Sequence, residues 1–101
     1  MKMVIVTAVE EYKDDVFKLL KTAGIEAFSG SQVDGYKNVP QVLFNSSWFP
    51  SERGGASSSL FFAYTDEKKV DVLFELLKKH NAQLESNNPI KAVELPVERF
   101  V

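Results

Sequence analysis

The chain has 101 residues, 45% of them hydrophobic, a formal net charge of −2 and no cysteine. This length fits one domain spanning residues 1–101, with enough apolar residues for a core. The slight negative charge gives no broad attraction to nucleic acid or anionic lipid, so we expect no nucleic-acid partner. The lack of cysteine excludes disulfides, thiolate catalysis and thiolate metal ligands.

The N-terminal stretch argues against targeting or membrane insertion. A very short apolar run follows Lys2, and acidic residues come soon after it at Glu10 and Glu11. A signal peptide or a membrane-spanning helix needs a longer apolar segment. We therefore expect a cytoplasmic protein that is not membrane-inserted.

The first third of the chain predicts a strand, a helix and a second strand. The apolar, β-branched run Met3–Val9 is typical of a strand buried on both faces. Helical spacing of apolar residues follows, with Gly24 placed to end the helix in the left-handed conformation. We predict the second strand over residues 25–36, with small residues at 29–31 that favour a bulge. The residues that recur at this helical spacing are Tyr12, Val16, Leu19, Leu20 and Ala23.

Residues 37–58 contain proline, glycine and serine without sustained periodicity, which predicts a long loop. Leu60–Tyr64 then predicts a third strand. Thr65 or Asp66 is placed to cap a second helix, which Asn81 is placed to end. The last apolar segments, residues 90–95 and 97–101, predict strand on either side of Pro96, which marks an edge, a bend or a break.

The predicted order is strand-helix-strand-strand-helix-strand. Two such halves make an α+β domain with the ferredoxin-like βαββαβ fold, an antiparallel sheet with both helices on one face. Phe61, Phe62 and Tyr64 fall within four residues of the third strand. Since apolar side chains on both faces of that strand need cover, we expect another copy of the chain to bury the second face.

The chain resembles the PII family of nitrogen regulators and its wider superfamily, which includes the CutA proteins. Residues 14–16 (Asp-Asp-Val), 23–25 (Ala-Gly-Ile) and 33–36 (Val-Asp-Gly-Tyr) carry the likeness to PII. The long loop follows Gly35, as the T-loop does in that family. Asn88-Pro89 and the segment from Leu95 to Glu98 are similar to the strand end of CutA-like chains.

The resemblance implies a trimeric signalling protein that is not an enzyme. Its sheets would pack inward, and a small anionic ligand would bind in a cleft between subunits. PII proteins hold nucleotide phosphates on a glycine-rich loop, whereas residues 83–89 of this chain contain no glycine, so ATP binding in the PII manner is not expected here. The cofactor is unknown. The basic residues near the expected cleft, with the loop-root glycine, form the candidate ligand set: Gly35, Lys37, Lys79, Lys91 and Arg99.

The long loop carries the candidate surface for a protein partner such as a transporter. Its candidate contact residues are its three aromatics and its arginine: Phe44, Trp48, Phe49 and Arg53. Exposed aromatics of this kind are favoured at the centres of interfaces. Equally, these rings fit a loop that folds back on its own trimer. Arg53-Gly54-Gly55 suits either an anion site or a flexible hinge, and the hinge is the simpler reading.

An alternative is a CutA-like protein that binds divalent metal for metal tolerance. His80 is the only histidine, and carboxylates such as Glu85 would complete its site. The position of His80 at a helix C-terminus already has a structural reason, because a cation there is favoured by the helix dipole. No catalytic nucleophile with a matching base is evident in the sequence.

Overall fold

A computed structural model describes residues 1–35, 56–84 and 88–101. These described residues form four strands and two α-helices, and a 3-10 turn at Glu10–Tyr12 leads into the first helix. The elements are β1 (Lys2–Val9), α1 (Lys13–Thr22), β2 (Ser29–Gly35), β3 (Ala56–Thr65), α2 (Glu67–Ala82) and β4 (Lys91–Pro96). The protein is therefore an α+β structure with an antiparallel sheet.

The strands form one sheet in the order β2-β3-β1-β4. β1 is antiparallel to both of its neighbours, with Val4 opposite Ala63 on β3 and opposite Glu94 on β4. β2 pairs antiparallel with β3 only, with Gly30 opposite Phe61. The two longest strands are thus central, and β2 and β4 form the edges.

One face of the sheet carries the hydrophobic core. Alternate residues of a strand point to the same face, which places Val4, Val6 and Ala8 of β1 together. These side chains are buried in one cluster with both helices, so α1 and α2 cover the same face. The helices contribute Val16, Leu20, Val70, Leu73 and Leu77 to that cluster.

The helix ends agree with the sequence signals. Gly24 has φ of 82° and follows α1, as predicted, and the Ile25 backbone N–H donates to the Leu20 carbonyl at 2.9 Å. Asp66 caps α2, since its Oδ1 accepts from the backbone N–H of Lys69 at 3.0 Å. These local contacts fix where α1 ends and where α2 begins.

Three predicted boundaries were wrong. β2 begins at Ser29 rather than at Ile25, and its pairing with β3 is continuous without a bulge. The predicted loop 37–58 is too long at its end, because β3 already begins at Ala56. Residues 97–101 are not strand: β1 pairs with β4 only as far as Lys2 opposite Pro96, so no strand remains for the tail to join.

Candidate functional site: the uncovered sheet face

The sheet face opposite the helices is apolar and lacks cover from either helix. The register places Met3 of β1 between Tyr64 of β3 and Leu95 of β4, and Ile5 between Phe62 and Val93. Leu60 lies on the same face, one pair further along β3. Neighbouring side chains on this face contact each other, with the Phe62 and Tyr64 rings edge to face at 6.4 Å. The expectation of a second apolar face is therefore confirmed.

Exposure on this face is concentrated at one end. Tyr64 is 57% exposed and Leu95 is 42% exposed. At the other end, Thr7 and Ser58 are fully buried. Large apolar side chains left open together mark an interaction surface more often than isolated ones do. The row Met3, Tyr64 and Leu95 is therefore the best candidate contact surface in the described part of the chain.

A groove of about 800 Å³ opens at this exposed end. Met3, Tyr64 and Leu95 line its floor, and the chain after Pro96 forms a side of it. A backbone hydrogen bond from the Val97 N–H to the Met1 carbonyl, at 3.2 Å, holds that segment beside β1. The charged residues of the groove are Glu98 and Arg99. This combination suits an apolar partner surface or a ligand whose anionic group meets the guanidinium of Arg99.

The predicted ligand residues do not converge within one chain. Gly35 ends β2 and Lys91 begins β4, so the two lie at opposite edges of the sheet. They are separated by three strand spacings across the sheet and by four residues along it, on the order of 20 Å in all. Arg99 lies beyond the other end of β4, in the groove. Lys79 is exposed in the last turn of α2. Lys37 lies outside the described residues.

The predicted partner-binding residues also lie outside the described part of the chain. They are Phe44, Trp48, Phe49 and Arg53. What the structure places is the root of that segment, where Gly35 pairs with Ala56 at the end of the β2–β3 ladder. The two ends of the intervening chain are therefore neighbours in one sheet.

His80 joins the two helices rather than facing solvent. Its Nε2 lies 3.1 Å from Oδ2 of Asp15, and the Tyr12 ring stands edge-on at 5.9 Å between ring centroids. Nδ1 is enclosed and has no hydrogen-bond partner among the described residues. A metal ion would have to displace Asp15 or open this packing to reach either nitrogen, which supports the structural reading of His80.

The described residues form neither a metal-binding cluster nor a membrane-spanning helix. No three of their His, Asp and Glu side chains are grouped so that they would hold a metal ion. None of the helices they form combines the length and hydropathy needed to cross a membrane.

Sequence reasoning missed the groove because its sides come from both chain ends. Met1 and Phe100 are 99 positions apart in the sequence, and only the antiparallel pairing of β1 with β4 brings them together. The one available signal was the presence of Val97, Phe100 and Val101 after Pro96, which predicted a strand instead. No family model matches the chain, and a search of curated proteins finds no match either.

Proposed function

We propose that the protein is a PII-like regulator that acts as a homotrimer and responds to a small anionic ligand. The arrangement fits a ferredoxin-like domain: the order β2-β3-β1-β4 has β1 and β3 at the centre, and both helices pack on one face. The resemblance of residues 14–16, 23–25 and 33–36 to PII supports the same assignment.

The observation that carries this proposal is the apolar sheet face that the helices leave open. Tyr64 and Leu95 are exposed on it, and Met3 and Ile5 lie between their strands. Burying one large apolar side chain contributes about 1.5–3 kcal/mol, so several on each of three chains favour association. In the proposed trimer, the three open faces pack against each other around the symmetry axis.

The ligand site proposed for this trimer lies between subunits. Gly35, Lys91 and Arg99 are far apart in one chain, but residues at opposite edges of a sheet become neighbours where two copies meet. The groove with Arg99 opens on the same face that the proposed trimer would bury, which supports a role for its guanidinium in the proposed cleft. Lys37 and Lys79 belong to the proposed set on the strength of the resemblance alone.

The partner-binding element proposed for this regulator is the segment between β2 and β3. Ligand binding at its root would favour one arrangement of the segment over others, and only a ligand with different affinity for the two arrangements produces such a shift. A protein partner, such as a transporter or an enzyme, would then bind one arrangement of the segment through contacts with Phe44, Trp48, Phe49 and Arg53.

The ligand proposal is tested by thermal unfolding of the purified protein with candidate anions. The probes are adenine nucleotides, cyclic dinucleotides, bicarbonate and 2-oxoglutarate, with copper, zinc and nickel ions in parallel. We expect one anion to raise the unfolding temperature, and Arg99→Gln to remove that rise while Arg53→Gln retains it. Stabilisation by a metal ion alone would favour the CutA-like alternative and contradict this proposal.

The segment proposal is tested by deleting residues 42–53, which leaves Gly35 and all of β3 in place. We expect the deletion variant to keep the mass of the wild-type assembly and its response to ligand. It should lose binding to any protein that wild type captures in a ligand-dependent way. Retained capture would show that the partner binds elsewhere.

A further inference from the structure

A second, smaller cavity lies on the helix side of the sheet, between α1 and the edge strand β2. We call it the α1–β2 slot; its volume is about 270 Å³. Phe17 forms one wall from α1, and Phe28 and Gln32 form the other from β2 and the residue before it. Ser59 and Phe61 of β3 form the floor. The slot shares no lining residue with the groove on the other face.

Glycine at position 30 allows the floor of the slot to form. A Cβ atom there would lie 2.8 Å from Cδ1 and 3.0 Å from Cε1 of Phe61, closer than real Cβ contacts allow. The Phe61 ring therefore lies against the backbone of β2 and is only 3% exposed. Any larger residue at position 30 would push the ring away.

Three phenylalanine rings surround the slot. Phe61 stands edge to face with Phe17 at 5.3 Å and with Phe28 at 6.1 Å, and Phe17 and Phe28 are 5.7 Å apart. Phe17 and Phe28 are only partly buried, so each leaves ring surface facing the opening. Aromatic rings at these distances and angles accept a further ring in the same edge-to-face manner.

Lys13 gives the opening a positive charge. Among the described residues that line the slot, Lys13 is the one with a charged side chain. Its Nζ is 3.7 Å from Glu10 Oε1, in a pair whose side chains are 45% and 41% exposed, which is a weak interaction in water. The other Glu10 oxygen accepts from the Ser59 hydroxyl at 2.9 Å, which holds Glu10 towards β3. Lys13 can therefore turn to an incoming anion at little cost.

We propose that the α1–β2 slot binds a small aromatic carboxylate. The ring of the ligand packs against the exposed ring surfaces of Phe17 and Phe28, and its carboxylate meets the ammonium group of Lys13. The volume lies just below the usual range of about 300–1,000 Å³ for ligand pockets, which limits the occupant to about one ring. This site is separate from the proposed intersubunit cleft and does not depend on trimer formation.

The test titrates benzoate into ¹⁵N-labelled protein and follows the amide resonances. We expect saturable shifts confined to residues 13–17, 28–32 and 59–61, with benzamide binding about threefold to fivefold more weakly because it lacks the charge. Lys13→Met keeps the aliphatic stem and should weaken benzoate binding to the level of benzamide. Lys21→Met, the matched exposed lysine at the other end of α1, should leave the affinity unchanged.

Three outcomes would overturn the proposal. They are shifts that do not saturate, equal affinity for benzoate and benzamide in the wild type, and unchanged benzoate affinity in Lys13→Met. The spectrum of each variant without ligand shows whether it is folded, so a loss of binding is not confused with a loss of structure. The amide shifts report binding at the α1–β2 slot alone. The result therefore does not depend on whether a ligand is found for the proposed intersubunit cleft.

Discussion

His80 Nε2 lies 3.1 Å from Asp15 Oδ2, and this contact joins the last turn of α2 to the first turn of α1. An ionised carboxylate only accepts hydrogen bonds, so the Nε2–H group of His80 is the donor. The other ring nitrogen, Nδ1, is enclosed and has no hydrogen-bond partner among the described residues. The pair fixes the two helix ends to each other over the core.

Breaking this contact should lower stability by a measurable amount. In a double-mutant cycle of Asp15→Ala and His80→Ala, we expect a coupling free energy of about 0.5–1.5 kcal/mol, the usual size for one hydrogen bond. The measurement is urea denaturation of the four proteins. The neighbouring exposed residue is the control: Asp14→Ala combined with His80→Ala should show no coupling. Coupling at Asp14 equal to that at Asp15 would contradict the assigned pair.

Asn81 holds the connection between α2 and β4. Its side chain donates to the Ile90 carbonyl and accepts from the Ile90 N–H, both at 2.9 Å. Because Ile90 is buried, Asn81→Ala leaves two backbone groups without partners and should cost about 1–3 kcal/mol. Gln83→Ala, two positions on and exposed, should change the free energy of unfolding by less than about 0.5 kcal/mol. Similar values for the two variants would refute this role of Asn81.

Gly30→Ala should destabilise the protein through the Phe61 ring. The new Cβ would lie 2.8 Å from that ring, and forced overpacking of this kind costs about 1–3 kcal/mol. Shortening the opposing side chain tests the cause: in the Phe61→Leu background, Gly30→Ala should cost clearly less. An equal cost in both backgrounds, measured by denaturation, would show that the ring is not the obstacle.

The sequence predicted the elements whose signals are local. The stripe of α1 with Gly24, and the Asp66 cap of α2, depend on residues a few positions apart, and the structure bears both out. β1 was found because a central strand buried by its neighbours is apolar throughout. Local propensity and the tertiary environment agree at these positions.

The edges of the sheet were harder to predict. β2 is mostly exposed and polar, while the apolar Ile25, which suggested an earlier start, is buried in the connection before it. Ser58 is strand because Val9 and Val33 pair with it, which overrides its weak preference for strand. Such pairings depend on residues far apart in the sequence.

Parts of the candidate site were also accessible to sequence reasoning. The aromatic residues of β3 predicted a second apolar face because their alternation is visible within a few residues. The contact between Asp15 and His80 was not predicted, since 65 positions separate them and only the packed helices bring them together. The α1–β2 slot was not predicted either, because its residues are also far apart in the sequence.

The uncovered face predicts which substitutions disrupt the proposed assembly. Tyr64→Lys or Leu95→Lys places a charge in the proposed interface and should dissociate the proposed trimer to monomers. Val72→Lys is the matched control, because Val72 is a 47% exposed apolar residue on α2, away from this face. The sedimentation velocity of each variant reports its assembly state. Dissociation by Val72→Lys alone would place the interface on the helices.

The mass of the wild-type protein in solution tests the central claim most directly. One chain has a mass of 11.4 kDa, and light scattering coupled to size-exclusion chromatography at micromolar concentration reads the assembly mass without a standard. We expect three times the mass of one chain, falling to a single chain in Tyr64→Lys and Leu95→Lys. A monomeric wild-type protein would contradict the proposed trimer.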